Sequence, residues 1–128
     1  MGAPAIVMND RIMGQCPIHT IPNPATGAPQ PSPPMPFSAP LLTGLVPTVQ
    51  IGGRAAAVAG SGGLNTPPHV GLHPGDPFFA PPAQRGQVLS GSPTVMIGGQ
   101  PAATGQSQCT CCGTPGQLVP TVQTVMIG

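Results

Sequence analysis

An all-β chain assembled from three related units is what this sequence predicts, and three observations carry the prediction. A phrase recurs: "LVPTVQIGGRAAA" at 45–57 returns as "GSPTVMIGGQPAA" at 91–103, and "TVMIG" at 124–128 begins it again. The recurring "TVxIG" is β-branched and alternating, the pattern of a short strand. Gly (19 residues) and Pro (21) fill about a third of the 128 positions, and one or the other falls every few residues, so no amphipathic helix of useful length can form.

Aligning on the glycine that opens "GxPAA" sets the unit starts at Gly2 ("GAPAI"), Gly53 ("GRAAA") and Gly99 ("GQPAA"). The predicted units span about 2–52, 53–98 and 99–128, within a single domain over 1–128. The Gly-Gly pairs after "TVQI" and "TVMI" read as turns. Between each start and the next strand lies a variable loop, roughly 14–44, 61–89 and 107–118. The segment "PNPATGAPQPSPPMPFSAP" at 22–40 is polyproline-like. Alone it would pass for a flexible linker or an SH3-type ligand; between repeats it reads as an extended strap on a small β scaffold. So much Gly and Pro without a period would predict disorder, and the repeat counts against that.

Only five residues are charged (Arg11, Arg54, Arg85, Asp10 and Asp76), and the net charge is +1. That gives no basic stripe for nucleic acid and no patch for an anionic membrane. The only aromatic residues are Phe37, Phe78 and Phe79. A thick core is therefore not expected, and proline and a bound metal would supply rigidity instead. The six methionines read as gap-filling apolar residues. No apolar run approaches the ~20 residues of a membrane span. The start "MGAPAIVMNDR" shows no Sec-type signal and lacks the Ser or Thr of a myristoylation site. The expectation is a cytoplasmic product, or one that leaves by a route independent of signal peptides.

Cysteine and histidine fall in step with the repeats. Unit one carries "CPIH" (Cys16–His19), unit two "TPPH" (Thr66–His69) and unit three "CTCC" (Cys109–Cys112), ending 13 to 17 residues past the opening glycine. The last positions, His19, His69 and Cys112, should then be related by a pseudo-threefold axis that brings them together at one end. Cys16 or Cys109, each three residues earlier, can supply a fourth ligand. Thiolate and imidazole in fours suit zinc, and a closed set of four N/S ligands is structural. The competing readings are two disulfides, which a reducing compartment disfavours, and His73 in place of His69. His73, in "GLHPGDP", otherwise reads as a solvated loop residue, Cys111 as a spare ligand or free thiol, and Asp10 and Asp76 as isolated turn residues.

The phrase "SGSPTVMIGGQPAA" at 90–103 resembles the PAAR repeat, named for Pro-Ala-Ala-Arg. The motif stands here as "QPAAT" at 100–104, "RAAAV" at 54–58 and "APAIV" at 3–7; no copy keeps the Arg, and the second also loses the Pro. "LNTPPHVGLHPGDPF" at 64–78 further resembles the PAAR-like tip proteins of contractile injection systems, and tilts the comparison towards phage-like extracellular particles over type VI secretion. The resemblance implies a short pseudo-threefold β cone, with one zinc tying it near the apex and its base on the blunt end of a trimeric VgrG-like spike, one tip per trimer.

Two function classes follow. The first is a non-enzymatic spike tip that sharpens the spike, touches the target membrane transiently and binds any effector cargo as an adaptor; 128 residues leave no room for an appended toxin domain. Its spike contacts would be Val49 and Ile51, Val95 and Ile97, and Val125 and Ile127, with a C-terminus at Gly128 in or beside that interface. The second is a small zinc hydrolase, which needs an open metal position and a carboxylate base, and this chain has no Glu. A disordered, proline-rich metal-binding adaptor is the remaining alternative.

Overall fold

The computed structural model describes residues 2–127. It is all-β, with one 3-10 turn at Pro81–Ala83 and no α-helix among the described residues. The strands in order are β1 (Ala3–Pro4), β2 (Arg11–Cys16), β3 (Thr20–Pro22), β4 (Pro29–Pro31), β5 (Met35–Pro40), β6 (Val46–Ile51), β7 (Arg54–Ala56), β8 (Gly62–Leu64), β9 (Arg85–Val88), β10 (Met96–Ile97), β11 (Gln100–Pro101), β12 (Cys109–Cys111), β13 (Thr114–Val119) and β14 (Met126–Ile127). No helix among the described residues is long and apolar enough to cross a membrane.

Six strands form one antiparallel sheet in the order β5-β2-β13-β12-β9-β8. Its two edges nearly meet. The Ser38 amide donates to Asn65 Oδ1 (3.0 Å) and the Thr66 amide donates to the Ser38 carbonyl (2.9 Å). Further along, Gly62 and Thr43 exchange hydrogen bonds of 3.1 Å. Gly63 sits where a Cβ would collide with the Pro40 carbonyl, so the seam requires glycine there.

This sheet is built from the segments that the sequence reads as loops. β2 and β5 come from 14–44 and its approach, β8 and β9 from 61–89, and β12 and β13 from 107–118 and the residue after it. The proline-rich strap is itself stranded: β3 pairs with β4, and β5 carries Pro36 and Pro40 on an edge of the sheet, where a missing N–H costs no ladder bond.

The recurring phrase forms three short antiparallel pairs with matching register. Ile51 faces Arg54, Ile97 faces Gln100 and Ile127 faces Ala3, so β14 at the end of the chain pairs with β1 at its start. The predicted Gly-Gly turns are present: Gly52 and Gly53 have φ of 61° and 81°, and Gly98 and Gly99 have 59° and 83°, the left-handed pair that a two-residue hairpin demands. Above the hairpins, three backbone hydrogen bonds close a ring. The Ile6 amide donates to Ala103 (3.2 Å), the Ala103 amide to Ala57 (3.0 Å) and the Ala57 amide to Ile6 (3.0 Å). After each ring segment a turn is held by a side chain that accepts from the amide three residues earlier: Asp10 from Val7 (3.0 Å), Ser61 from Val58 (3.0 Å) and Ser107 from Thr104 (2.9 Å). Asp10 is thus a turn residue, as read, but a buried one.

The core is more substantial than the composition suggests. Phe37, Ile12, Leu41, Val88 and Leu118 fill the sheet's interior together with all four cysteines. Inward-facing glycines make room for them: a Cβ on Gly86 would lie 3.0 Å from Ile12 and 3.1 Å from Phe37. A narrow, nearly closed sheet needs few side chains to fill it, which is why one buried phenylalanine, Phe37, with Phe78 partly buried against the cluster, suffices. A second cluster sits between the hairpins, where Ile97 and Ile127 pack with Ala5, Ala56, Val58 and Ala102. Ile97 and Ile127 are interior to this cluster, with Ile51 and Val95 half-buried against them. One expectation is corrected here. Met96, Met126 and Met13 are exposed and fill no gap. Gly128 lies outside the described residues.

Candidate metal centre

The six-stranded sheet has two ends. Arg11, Val119, Val88 and Cys109 lie towards the ring; Cys16, Thr114, Arg85 and Cys111 lie at the far end. The far end gathers four side chains. Cys16 closes β2, His19 precedes β3, and Cys112 sits in the β12–β13 turn. His69 comes from the segment between β8 and β9, which has no strand of its own. One donor atom from each lies within 4.8 Å of all the others, and all four residues are buried. A tetrahedral ion with bonds of about 2.0–2.3 Å has ligand–ligand edges of roughly 3.3–3.8 Å. Small side-chain movements reach that geometry, so the cluster can hold a metal ion.

Cys112 has φ of 49° and Gly113 has 78°. A non-glycine residue in the left-handed region is uncommon and persists where its surroundings hold it. Here the Cys112 amide donates to the Arg85 carbonyl (3.1 Å), which ties the turn to β9. The twist aims the Cys112 thiol at Cys16, while Cys111 stays in the strand.

Hydrogen-bond accounting fits an ion held by the two histidines. Both ring nitrogens of His19 and Nε2 of His69 are buried without a hydrogen-bond partner. Buried polar atoms are rarely left so, and each costs about 1–3 kcal/mol of desolvation. The rings meet edge to face at 4.7 Å, with Phe78 across from His19 at 5.4 Å. Burial, then the neighbouring His19, pushes the His69 pKa down, which keeps its lone pair available. The neighbouring Cys16 and Cys112 thiols act on each other, which draws Cys112 below the ordinary thiol value and drives Cys16 well above it. A bound cation would hold both as thiolates.

The structure brings together Cys16, His19, His69 and Cys112, and leaves the other candidates out. Cys109 lies up the sheet opposite Val88 and Gly116, where burial and then nearby Cys111 push its thiol up to about 11. Cys111 faces Thr114 Oγ1 (3.6 Å) and the Pro115 carbonyl (3.8 Å), and burial raises its pKa. All four cysteines are free, without a disulfide among them. His73 is half-exposed, and its Nδ1 accepts from the Gly75 amide at 2.9 Å.

Two residues at the site escaped sequence reasoning. Asp76 is a turn residue, as read: its Oδ1 accepts from the Phe78 amide (2.7 Å). Its Oδ2, however, accepts from the Thr20 amide (2.8 Å) and lies 3.5 Å from His19 Nδ1. Burial pushes this carboxyl up, but the Thr20 and Phe78 amides and His19 outweigh it and hold it below its usual range. Gln84, fully buried, clamps the ligand segment: its Oε1 accepts from the His69 amide (2.6 Å), and its Nε2 donates to the carbonyls of His69 (3.2 Å) and Phe78 (3.0 Å). Only the "GDPF" turn signal marked Asp76; nothing in the sequence marked Gln84.

The ligand set yields an expected ranking. His69→Ala should weaken binding of a divalent metal by more than about 100-fold, the upper range seen for residues that merely support a ligand. His73→Ala should change it little. Chelator-competition titration of the two variants decides this, and loss of metal in His73→Ala with retention in His69→Ala would overturn the assignment.

Comparison with protein families, with curated proteins and with solved structures returns no match.

Proposed function

We propose that this chain is a non-enzymatic, zinc-stabilised tip of the PAAR-like kind, which caps the blunt end of a trimeric spike in a contractile injection machine. One observation carries the reading: three strand pairs of equal register, two of them hairpins and the third formed by the two ends of the chain, stand below a closed ring of three hydrogen bonds. On this reading the chain is three pseudo-threefold units, about 2–52, 53–98 and 99–128, tapering from the hairpins as base to the metal cluster as apex. A single chain with three similar but unequal units can sit on a true threefold axis, one copy per trimer. The three-start face supplies strand ends for pairing with spike strands.

Zinc is the ion the donor set favours. Two thiolates and two imidazoles in a buried group of four make a closed tetrahedral site, which leaves no position for a substrate. Cys16, His19, His69 and Cys112 would hold it, and the ion would tie together segments far apart in sequence. Asp76 gives the hydrolase reading its only carboxylate near the metal, but both its oxygens are engaged and one faces a ligand. That is the placement of an orienting group, not of a base beside an open coordination position. Assembly in the cytoplasm and release as part of a particle, with cargo held by adaptor contacts, complete the proposal.

Native mass spectrometry of the chain co-expressed with the spike protein encoded beside it tests this. The expected result is one copy per spike trimer. Three copies per trimer, or no complex, would remove the capping function.

A further inference from the structure

We propose that Asp76 is a positioning residue for the metal: it holds His19 in the tautomer that carries its proton on Nδ1 and leaves Nε2 to ligate. The inference rests on the reading of the four-residue cluster as a metal site. It adds a role for the one carboxylate at that end of the molecule.

The geometry is specific. Asp76 is 5% exposed, and its Oδ2 lies 3.5 Å from His19 Nδ1, which has no other partner. The carboxylate cannot swing away, because the Thr20 amide fixes Oδ2 at 2.8 Å and the Phe78 amide fixes Oδ1 at 2.7 Å. Thr20 is the residue after His19, so one oxygen accepts from the backbone beside the ligand and faces its ring at 3.5 Å. Phe78 packs edge to face on that ring at 5.4 Å, so the same turn controls the ring's face as well. An ionised carboxylate only accepts hydrogen bonds. The His19 nitrogen that faces it must therefore carry the proton, and the other is free for a metal. The carboxylate also makes the imidazole a more basic ligand. His69 has no carboxylate behind it; its segment is held by Gln84 through the backbone. The two histidines are thus positioned by different means, one through its ring and one through its peptide.

Two measurements on the full-length chain test this. In zinc-loaded, 15N-labelled wild type, long-range 1H–15N correlation should show His19 with a protonated Nδ1 and a metal-bound Nε2. In Asp76→Asn, an amide N–H in place of Oδ2 would face His19 Nδ1 and favour the opposite tautomer, so zinc affinity should fall 10–100-fold in chelator competition. A mere brace for the turn would alter melting of the metal-free protein and leave the tautomer and the affinity unmoved. Zinc on Nδ1 of His19, or unchanged affinity in a folded Asp76→Asn, would overturn the assignment. If the variant does not fold, the wild-type spectrum alone decides. Wild type that takes up no zinc would instead sink the metal reading on which the assignment rests, a failure plainly different from zinc bound at the wrong nitrogen.

Discussion

Removing the metal should lower the melting temperature by about 15 °C or more. A ligand that binds only the folded chain contributes about 4 kcal/mol when its free concentration is 1,000 times Kd. For a domain of this size, 1 kcal/mol moves the midpoint by roughly 3–5 °C. The candidate ligands are residues 16, 19, 69 and 112, so one ion would tie together β2, the start of β3, the unstranded segment before β9 and the β12–β13 turn. Without it, Nε2 of His19 and Nε2 of His69 are buried and unpaired. The ring at Ile6, Ala57 and Ala103 and the interior around Phe37 do not depend on the ion. The metal-free chain should therefore keep β structure while amides between Leu64 and Arg85 exchange first. Elemental analysis should give about one zinc per chain, and melting followed by circular dichroism with and without chelator reads the shift. Protein purified without metal that melts at an unchanged temperature would sink the metal centre.

The parts of the fold that were legible in the sequence are those where local chemistry decides. The β-branched runs at 46–51 and 96–97 and the Gly-Gly pairs after them specify hairpins, because only glycine takes two successive left-handed residues freely. His19, His69 and Cys112 could be nominated because each closes a box in step with the repeat. Cys16 and Cys109 could not be separated, since each lies three residues before such a box end. Strand register separates them: Cys16 is the last residue of β2 at the metal end, whereas Cys109 begins β12 opposite Val88, towards the ring. The main sheet was hidden for another reason. Its strands are rich in Gly and Pro, which weaken a strand signal, yet inward glycines give Ile12 and Phe37 their space, and Pro36 and Pro40 sit on an edge. Asp76 was half read, because its turn is local while its second oxygen meets a histidine 57 positions away in sequence.

Charges placed on the hairpins should separate folding from docking. β10 is two residues long, and its side chains face opposite ways: Ile97 is 8% exposed in the cluster with Ala56 and Ala102, while Met96 is 61% exposed. β14 repeats the arrangement, with Ile127 at 8% and Met126 at 55%. Val49 on β6 and Val125, just before β14, are also exposed. Ile97→Asp removes a buried branched side chain, which costs about 2–5 kcal/mol, and leaves a carboxylate without a partner, at several kcal/mol more. Total stability for a domain is about 5–15 kcal/mol, so this variant should be largely unfolded. Met96 and Met126 are more than half exposed, so Met96→Asp and Met126→Asp leave the core intact and should shift stability by about 0.5 kcal/mol. If the hairpin face meets a spike, these two exposed methionines lie at the contact, and a carboxylate there must be desolvated without a counter-charge. Binding should then weaken by at least tenfold, while circular dichroism, melting temperature and zinc content stay as in the parent. Pull-down and native mass spectrometry with the co-expressed spike, run beside melts of each variant, give both readouts. A folded Ile97→Asp would show that the hairpin cluster is not part of the core. Undiminished spike binding by a Met96→Asp/Met126→Asp double variant would show that the contact lies on another face.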